Sequence, residues 1–180
     1  KGSGDPKFLR EHLEAAIRAL RERGIREIRG DVLLDRSRFG KAIHDPSLFD
    51  GQALRPYNVG SDALLFNFKS VGFKFSVLPD KSVSVVTDGV PPDGLTISNS
   101  LRLGGGSCTD WRAKAGASFD TQGNRASATF SGTYSADCGE KDWYVSLFDH
   151  TGLLAGTFAR LWRDAGGTWS GVMRDGATPK

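Results

Sequence analysis

The chain has 180 residues, with 24 Lys and Arg against 21 Asp and Glu and a net charge of +3. Its 23 glycines, four tryptophans and eleven phenylalanines suit an ordered, turn-rich, largely β protein able to bury a core, and they exclude wholesale disorder. No run of 18 apolar residues occurs, so no transmembrane helix is expected, and none of these residues reads as a signal peptide.

Residues 1–30 hold eight Lys/Arg and five Asp/Glu and so carry the whole positive excess. The opening, Lys1-Gly2-Ser3-Gly4-Asp5-Pro6, reads as cut from a longer chain. Leu9, Leu13, Ala16, Ile17 and Leu20 recur at helical spacing and predict a helix over 7–23. Asp5-Pro6 marks its start and Gly24 its end. Charges at Glu14–Arg18, Arg18–Glu22, Glu22–Arg26 and Arg23–Glu27 stand four apart, which reads as a solvated helix face. No nucleic-acid partner is expected from it.

A strand is expected over Ile28–Leu34, then an irregular excursion over 36–60 punctuated by Asp45-Pro46, Asp50-Gly51 and Arg55-Pro56. Ala63–Phe68 reads as a buried strand, joined by a hairpin at Lys69-Ser70 to an alternating strand over Val71–Leu78. Residues 88–107 change character, and 89–141 reads as a small all-β module. Pro91-Pro92-Asp93-Gly94 and Gly104-Gly105-Gly106-Ser107 are turn-rich. Strands are expected near 97–103, over Ala113–Phe119 and over Arg125–Tyr134, the last two split by the loop Asp120–Asn124. Cys108 and Cys138 lie 30 apart. With no histidine near either, two cysteines cannot complete a zinc site. A disulfide is the favoured reading; the alternative is two free thiols in a strand core.

The tail predicts a strand over Trp143–Phe148, a second helix over about 153–165 and a strand over Thr168–Met173. Helix, glycine and strand thus occur twice, once at each end of the chain. The fold class expected is α+β: a mainly antiparallel sheet with two helices on one face, plus a small nested all-β module. Residues 1–88 and 142–180 would form one discontinuous unit and 89–141 the nested unit pinned by Cys108–Cys138. The two ends of the chain should then lie close together.

Two stretches are specific enough to suggest a family. Gly30-Asp31-Val32-Leu33-Leu34-Asp35-Arg36-Ser37-Arg38-Phe39 and Pro56-Tyr57-Asn58-Val59-Gly60-Ser61-Asp62-Ala63-Leu64-Leu65-Phe66-Asn67 resemble the insert of low-molecular-mass penicillin-binding proteins of the D-Ala-D-Ala carboxypeptidase/endopeptidase family, peptidase family S13. The residues carrying the resemblance are Gly30, Asp31, Asp35, Phe39, Pro56, Tyr57, Asn58, Ala63, Leu64 and Asn67. The resemblance implies an α/β insert inside a transpeptidase domain, with a smaller β domain nested within it. It implies a host transpeptidase domain as partner, peptidoglycan or an envelope protein as a further one, and the periplasm or cell envelope as location. An oxidising compartment also agrees with a disulfide.

Such enzymes need Ser-x-x-Lys, Ser-x-Asn and Lys-Thr-Gly to activate a nucleophile and bind a carboxylate. No serine here has Lys three residues on or Asn two residues on. His150-Thr151-Gly152 imitates the third element but opens a helix, where Asp149 or Thr151 serves as N-cap. No catalytic residue, cofactor or metal is therefore expected in this chain, although the parent would be a serine D-Ala-D-Ala carboxypeptidase. Asp31 and Asp35, four apart, read as backbone caps rather than an acid pair or metal site. The rival from another class is an autonomous envelope-binding module that uses the β module and the basic first helix. Trp143 and Trp162 read as core; Trp111 reads as packing on the disulfide.

Overall fold

In the computed structural model, which describes residues 1–40 and 43–179, both long helices end in the same glycine turn. Helix α1 (Arg10–Glu22) stops where Gly24, at φ +83°, donates its N–H to Arg21 O while Ile25 N–H reaches back to Leu20 O. Helix α3 (His150–Asp164) stops where Gly166, at φ +75°, donates to Arg163 O and Gly167 to Trp162 O. This is the paired-bond termination that a left-handed residue after the cap permits, and glycine adopts that conformation without steric cost.

The start of α1 differs from expectation, and α3 starts three residues before position 153 on the expected Asp149 cap. α1 begins at Leu9, whose N–H donates to His12 Nδ1 at 3.2 Å, while Asp5 only closes a turn on Lys7 N–H. α3 begins at His150 because the Asp149 carboxylate accepts from Gly152 N–H at 2.5 Å. None of the four expected i,i+4 pairs lies within ion-pair distance among the described residues. Arg10–Glu14 does, and Arg21 instead lies over the Trp162 ring. α1 buries Leu13 and Ile17 against α3, which buries Leu153, Leu154, Phe158, Leu161 and Trp162.

The two ends of the chain pair in parallel. Strand β1 (Glu27–Ile28) and strand β2 (Val32–Leu34) lie beside β11 (Thr168–Trp169) and β12 (Met173–Asp175) in the registers Ile28–Trp169 and Leu33–Arg174. Each expected strand is thus broken in the middle. The cause is a close approach: a Cβ on Gly171 would strike the carbonyl oxygen of Gly30. Residue 180 lies outside the described residues, but Gly2 and Thr178 both hydrogen-bond to Asp35, so the two terminal segments do meet.

The apolar run at 63–68 is not a strand. Phe66 packs edge-on against Phe8 with ring centroids 5.3 Å apart, and Asn67, Phe68 and Lys69 turn through left-handed φ of +48° to +52°. Three such residues in a row are costly for L-amino acids. The turn is held by Asn67 N–H to Phe8 O and by Asn67 Nδ2 to Ser70 O. The hairpin comes later, between β3 (Val71–Val77) and β4 (Val83–Thr87), a strand the sequence reading did not include.

In the nested segment, β5 (Leu95–Asn99) runs parallel to β8 (Arg125–Phe130), which pairs antiparallel with β7 (Ala117–Gln122). The expected strand at 113–119 begins late because the short helix α2 (Trp111–Lys114) precedes it. β6 (Arg102–Gly104) pairs with β9 (Thr133–Ser135), and Cys108 and Cys138 are joined by a disulfide beside this pair, with Cα atoms 4.9 Å apart. Strand β10 (Lys141–Val145) then returns antiparallel to β3.

Inward side chains of β3 and β10 meet those of the nested segment. Phe75 touches Trp111, Phe130, Tyr134 and Trp143 with ring centroids 5.1–6.4 Å apart, and Phe73 touches Phe119 and Phe130. Elements on both sides of positions 88 and 142 therefore share one aromatic core. The class is α+β, as the sequence implies.

Candidate functional site

Of the family-motif residues, Asp35 is the one at which separate segments of the chain meet. Its side chain is 2% exposed. One carboxylate oxygen accepts from Ser37 N–H at 3.1 Å and Ser37 Oγ–H at 2.6 Å. The other accepts from Thr178 N–H at 2.9 Å and Thr178 Oγ–H at 2.7 Å, and Lys1 Nζ stands 3.4 Å away. Its own carbonyl accepts from Gly2 N–H. One buried carboxylate thus ties together β2, the following turn and both terminal segments.

These bonds, Ser37's first and Thr178's next, hold the Asp35 carboxyl far below its ordinary value near 3.8. A group with a depressed folded-state pKa stabilises the fold above its unfolded pKa, and that stabilisation fades as pH falls through the acid range. We expect Asp35→Ala to lower the melting temperature at pH 7 by roughly 5–10 °C through the lost hydrogen bonds. The gap to wild type should narrow below about pH 4. Thermal scans at pH 7 and pH 3 check this; an equal gap at both would remove the charged carboxylate from the explanation.

Asp31 is held separately. It accepts from Val172 N–H at 3.2 Å and from Arg174 Nε at 2.6 Å, and Arg174 first, then Val172, pull its pKa down. Both carboxylates are engaged with the C-terminal segment rather than with each other. Both are also held ionised, the opposite of what a general acid requires. Gly30, at φ +90°, gives its carbonyl to Trp169 Nε1 at 3.0 Å.

The other motif residues hold the N-terminal segment and the 50–58 turn. Phe39 lies directly on Gly4, where a Cβ would collide with its ring. The Ala63 carbonyl accepts from Gly4 N–H at 2.9 Å, and Leu64 covers Gly2. Pro56 opens a 3₁₀ turn in which Tyr57 Oη–H and Asn58 Nδ2–H donate to the two oxygens of Asp50, each at 2.7 Å. Asp50 was legible in the sequence only as a turn former. Its role as an acceptor depends on contacts that the fold supplies.

Beside Asp35 lies an open cavity of about 580 Å³. Arg36 crosses its wall, paired with Asp62 at 3.3 Å and Asp175 at 3.1 Å. Lys69 and His150 also line it; burial pushes the pKa of each downward, and His150 Nδ1 is buried with no hydrogen-bond partner among the described residues. The Ser37 hydroxyl in the cavity wall is bonded to a carboxylate and not to a basic amine or imidazole, so it lacks the arrangement that activates a nucleophile. Asp149 caps α3 through Gly152 N–H, which accounts for the His150-Thr151-Gly152 sequence. No group of three or more His, Cys, Asp or Glu side chains suited to a metal occurs among the described residues.

The tryptophans are spent on packing. Trp162 is 1% exposed, and its Nε1 donates to Thr168 O. Trp111 packs on Phe75, Tyr134 and Trp143, with the Arg112 guanidinium over the Trp111 and Trp143 rings.

A family model described as the D-Ala-D-Ala carboxypeptidase 3 (S13) family matches residues 1–180. No curated protein matches the chain. Among solved structures, the chain is similar to penicillin binding protein 4 (dacB) from Haemophilus influenzae, with 18% identity and a TM-score of 0.61 over 99% of this chain and 39% of that one. A second structure of the Haemophilus influenzae protein, complexed with a novel β-lactam, gives 15% identity and a TM-score of 0.51 over 99% of this chain and 36% of that one. The likeness is one of fold, and the chain spans under two-fifths of the length of the chains it matches.

Proposed function

The chain belongs to the D-Ala-D-Ala carboxypeptidase 3 (S13) family, and from that membership we propose that it is the non-catalytic insert of a serine-type D-alanyl-D-alanine carboxypeptidase/endopeptidase. The parent would cleave peptidoglycan stem peptides through an acyl-enzyme and be acylated by penicillin. The observation that carries the reading is the meeting of both terminal segments at Asp35. A unit grafted into a host domain needs its two connections side by side.

In this reading the motif residues are structural. Gly30, Asp31 and Asp35 stitch β2 to the C-terminal segment, Phe39, Ala63 and Leu64 seat the N-terminal segment, and Pro56, Tyr57 and Asn58 fold the excursion around Asp50. We keep the division into 1–88 with 142–180 and a nested 89–141. The shared aromatic core makes the two parts a fused body rather than beads on a linker. The Cys108–Cys138 disulfide supports an oxidising location, the periplasm or cell envelope. No helix among the described residues is long and apolar enough to cross a membrane.

The purified 180-residue chain should take no covalent label from a fluorescent penicillin, whereas the longer parent should be labelled to near stoichiometry. A labelled band on the short chain would end the proposal. Salt-sensitive retention of the short chain on insoluble peptidoglycan would favour the autonomous binding module instead, because exposed charge contacts are screened by salt.

A further inference from the structure

The four most exposed large apolar side chains among the described residues all come from one short stretch: Ile43, Leu48 at 82%, Phe49 at 83% and Tyr57. Scattered surface apolar residues need no explanation, but a cluster on one loop marks a surface with a partner.

This loop is built, not loose. Asp50 accepts from Gln52 N–H, Asn58 Nδ2–H and Tyr57 Oη–H. Asp45 accepts from Ser47 N–H and Oγ–H. Ser146 N–H donates to Leu54 O at 2.9 Å, which pins the loop to the body beside α3. Leu48 and Phe49 are therefore held outward by a scaffold of hydrogen bonds. A preorganised apolar pair meets a partner without a large ordering cost.

Its position names the partner. Pro46 and Ala53 of the loop, and Val59 just after it, share the walls of the cavity with Gly176 and Ala177 of the C-terminal segment, and Phe39 rests on Gly4 of the N-terminal one. The loop that carries the exposed apolar residues thus borders the place where both ends of the chain meet. The matched chains are more than twice as long as this one.

We propose that the 43–57 loop is the face on which the rest of the parent chain docks, with Leu48 and Phe49 entering an apolar groove of the host domain; this rests on the insert reading above. Covalent connection supplies a high effective concentration, so a few apolar contacts suffice where a free partner would need a larger interface. The loop then sets how the insert sits over the host, which a flexible pair of connections could not.

The test uses the full-length parent and hydroxyl-radical footprinting. Leu48, Phe49 and Tyr57 should be oxidised roughly tenfold more slowly in the parent than in the 180-residue chain, as expected for side chains at the dry core of an interface. Val86 and Tyr144, exposed on strands remote in sequence, should react at the same rate in both. Leu48→Asp with Phe49→Asp in the parent should split one thermal transition into two, while the same pair should leave the short chain's melting temperature within experimental error, since both positions are exposed. Unchanged oxidation in a parent that still reacts with penicillin would overturn the docking face and leave the insert reading standing; a parent that does not react would remove the insert reading itself. Protection that appears only with added lipid vesicles, or that rises with concentration of the short chain, would assign the loop to a membrane or a second copy and overturn the proposal.

Discussion

Phe75→Ala is expected to destabilise the chain by about 3–5 kcal/mol, the range for removing a fully buried aromatic side chain. Phe75 is 0% exposed and contacts four other rings drawn from α2, β8, β9 and β10. Two of those contacts, with Trp111 and Phe130, are close to perpendicular at 66° and 88°, the edge-to-face arrangement that adds to simple area burial. The cavity left by alanine would open between β3 and the nested segment, so the loss should appear in both. Urea unfolding followed by tryptophan fluorescence measures it, since Trp111 and Trp143 report the site. Phe75→Leu should cost less than half as much, because most of the volume is kept. A loss below about 1 kcal/mol for the alanine variant would mean the core closes over the gap, contrary to its close packing here.

Removing the Cys108–Cys138 bridge, by Ser at both positions, is expected to cost roughly 3–4 kcal/mol, from the freedom a loop of 30 residues regains in the unfolded chain. The bridge sits where few other ties exist. Around it the three-residue β6–β9 ladder, Ser135 Oγ–H to Gly106 O, Tyr134 Oη–H to Gly139 O and Lys114 Nζ–H to Ser107 O hold the strands. Denaturant titrations of the oxidised protein and the serine variant test this at equal pH. If the two midpoints coincide, the ladder alone carries that corner. The same logic predicts poor yield from a reducing cytoplasm, and recovery when the chain is made in an oxidising one.

Acid should weaken the fold through several carboxylates together. Asp31, Asp35, Asp45, Asp50, Asp80 and Asp93 all have depressed pKa values, in each case chiefly from a side-chain hydrogen bond: Arg174, Ser37, Ser47, Tyr57, Ser82 and Arg163 respectively. Each favours the folded state at neutral pH and ceases to do so as it protonates.

Much of the architecture was readable from local pattern. The stripe Leu13, Ile17, Leu20 and the glycines at 24 and 166 specify both long helices and their ends. The alternation over Val71–Val77 specifies β3. Strand β4 lay in Val83-Ser84-Val85, a signal too short to stand out beside the turn at Pro79-Asp80. The run Ala63–Phe68 misled, because apolar content does not say which partner will cover it. Here Phe66 is covered by Phe8 and Ala63 by the N-terminal glycines, so the backbone turns instead of extending.

Local chemistry along the chain determines the helices, their stops and the absence of a Ser-x-x-Lys nucleophile, since each depends only on neighbours or on letters present, whereas the bridge between Cys108 and Cys138, 30 residues apart, needed the fold to choose it over two free thiols. The contacts that give the motif its meaning join residues about 140 apart, such as Asp31 to Arg174 and Asp35 to Thr178. Nothing in local spacing encodes them. They exist because two short parallel pairs bring the ends of the chain together, and only then does a buried carboxylate find the donors that make its charge favourable.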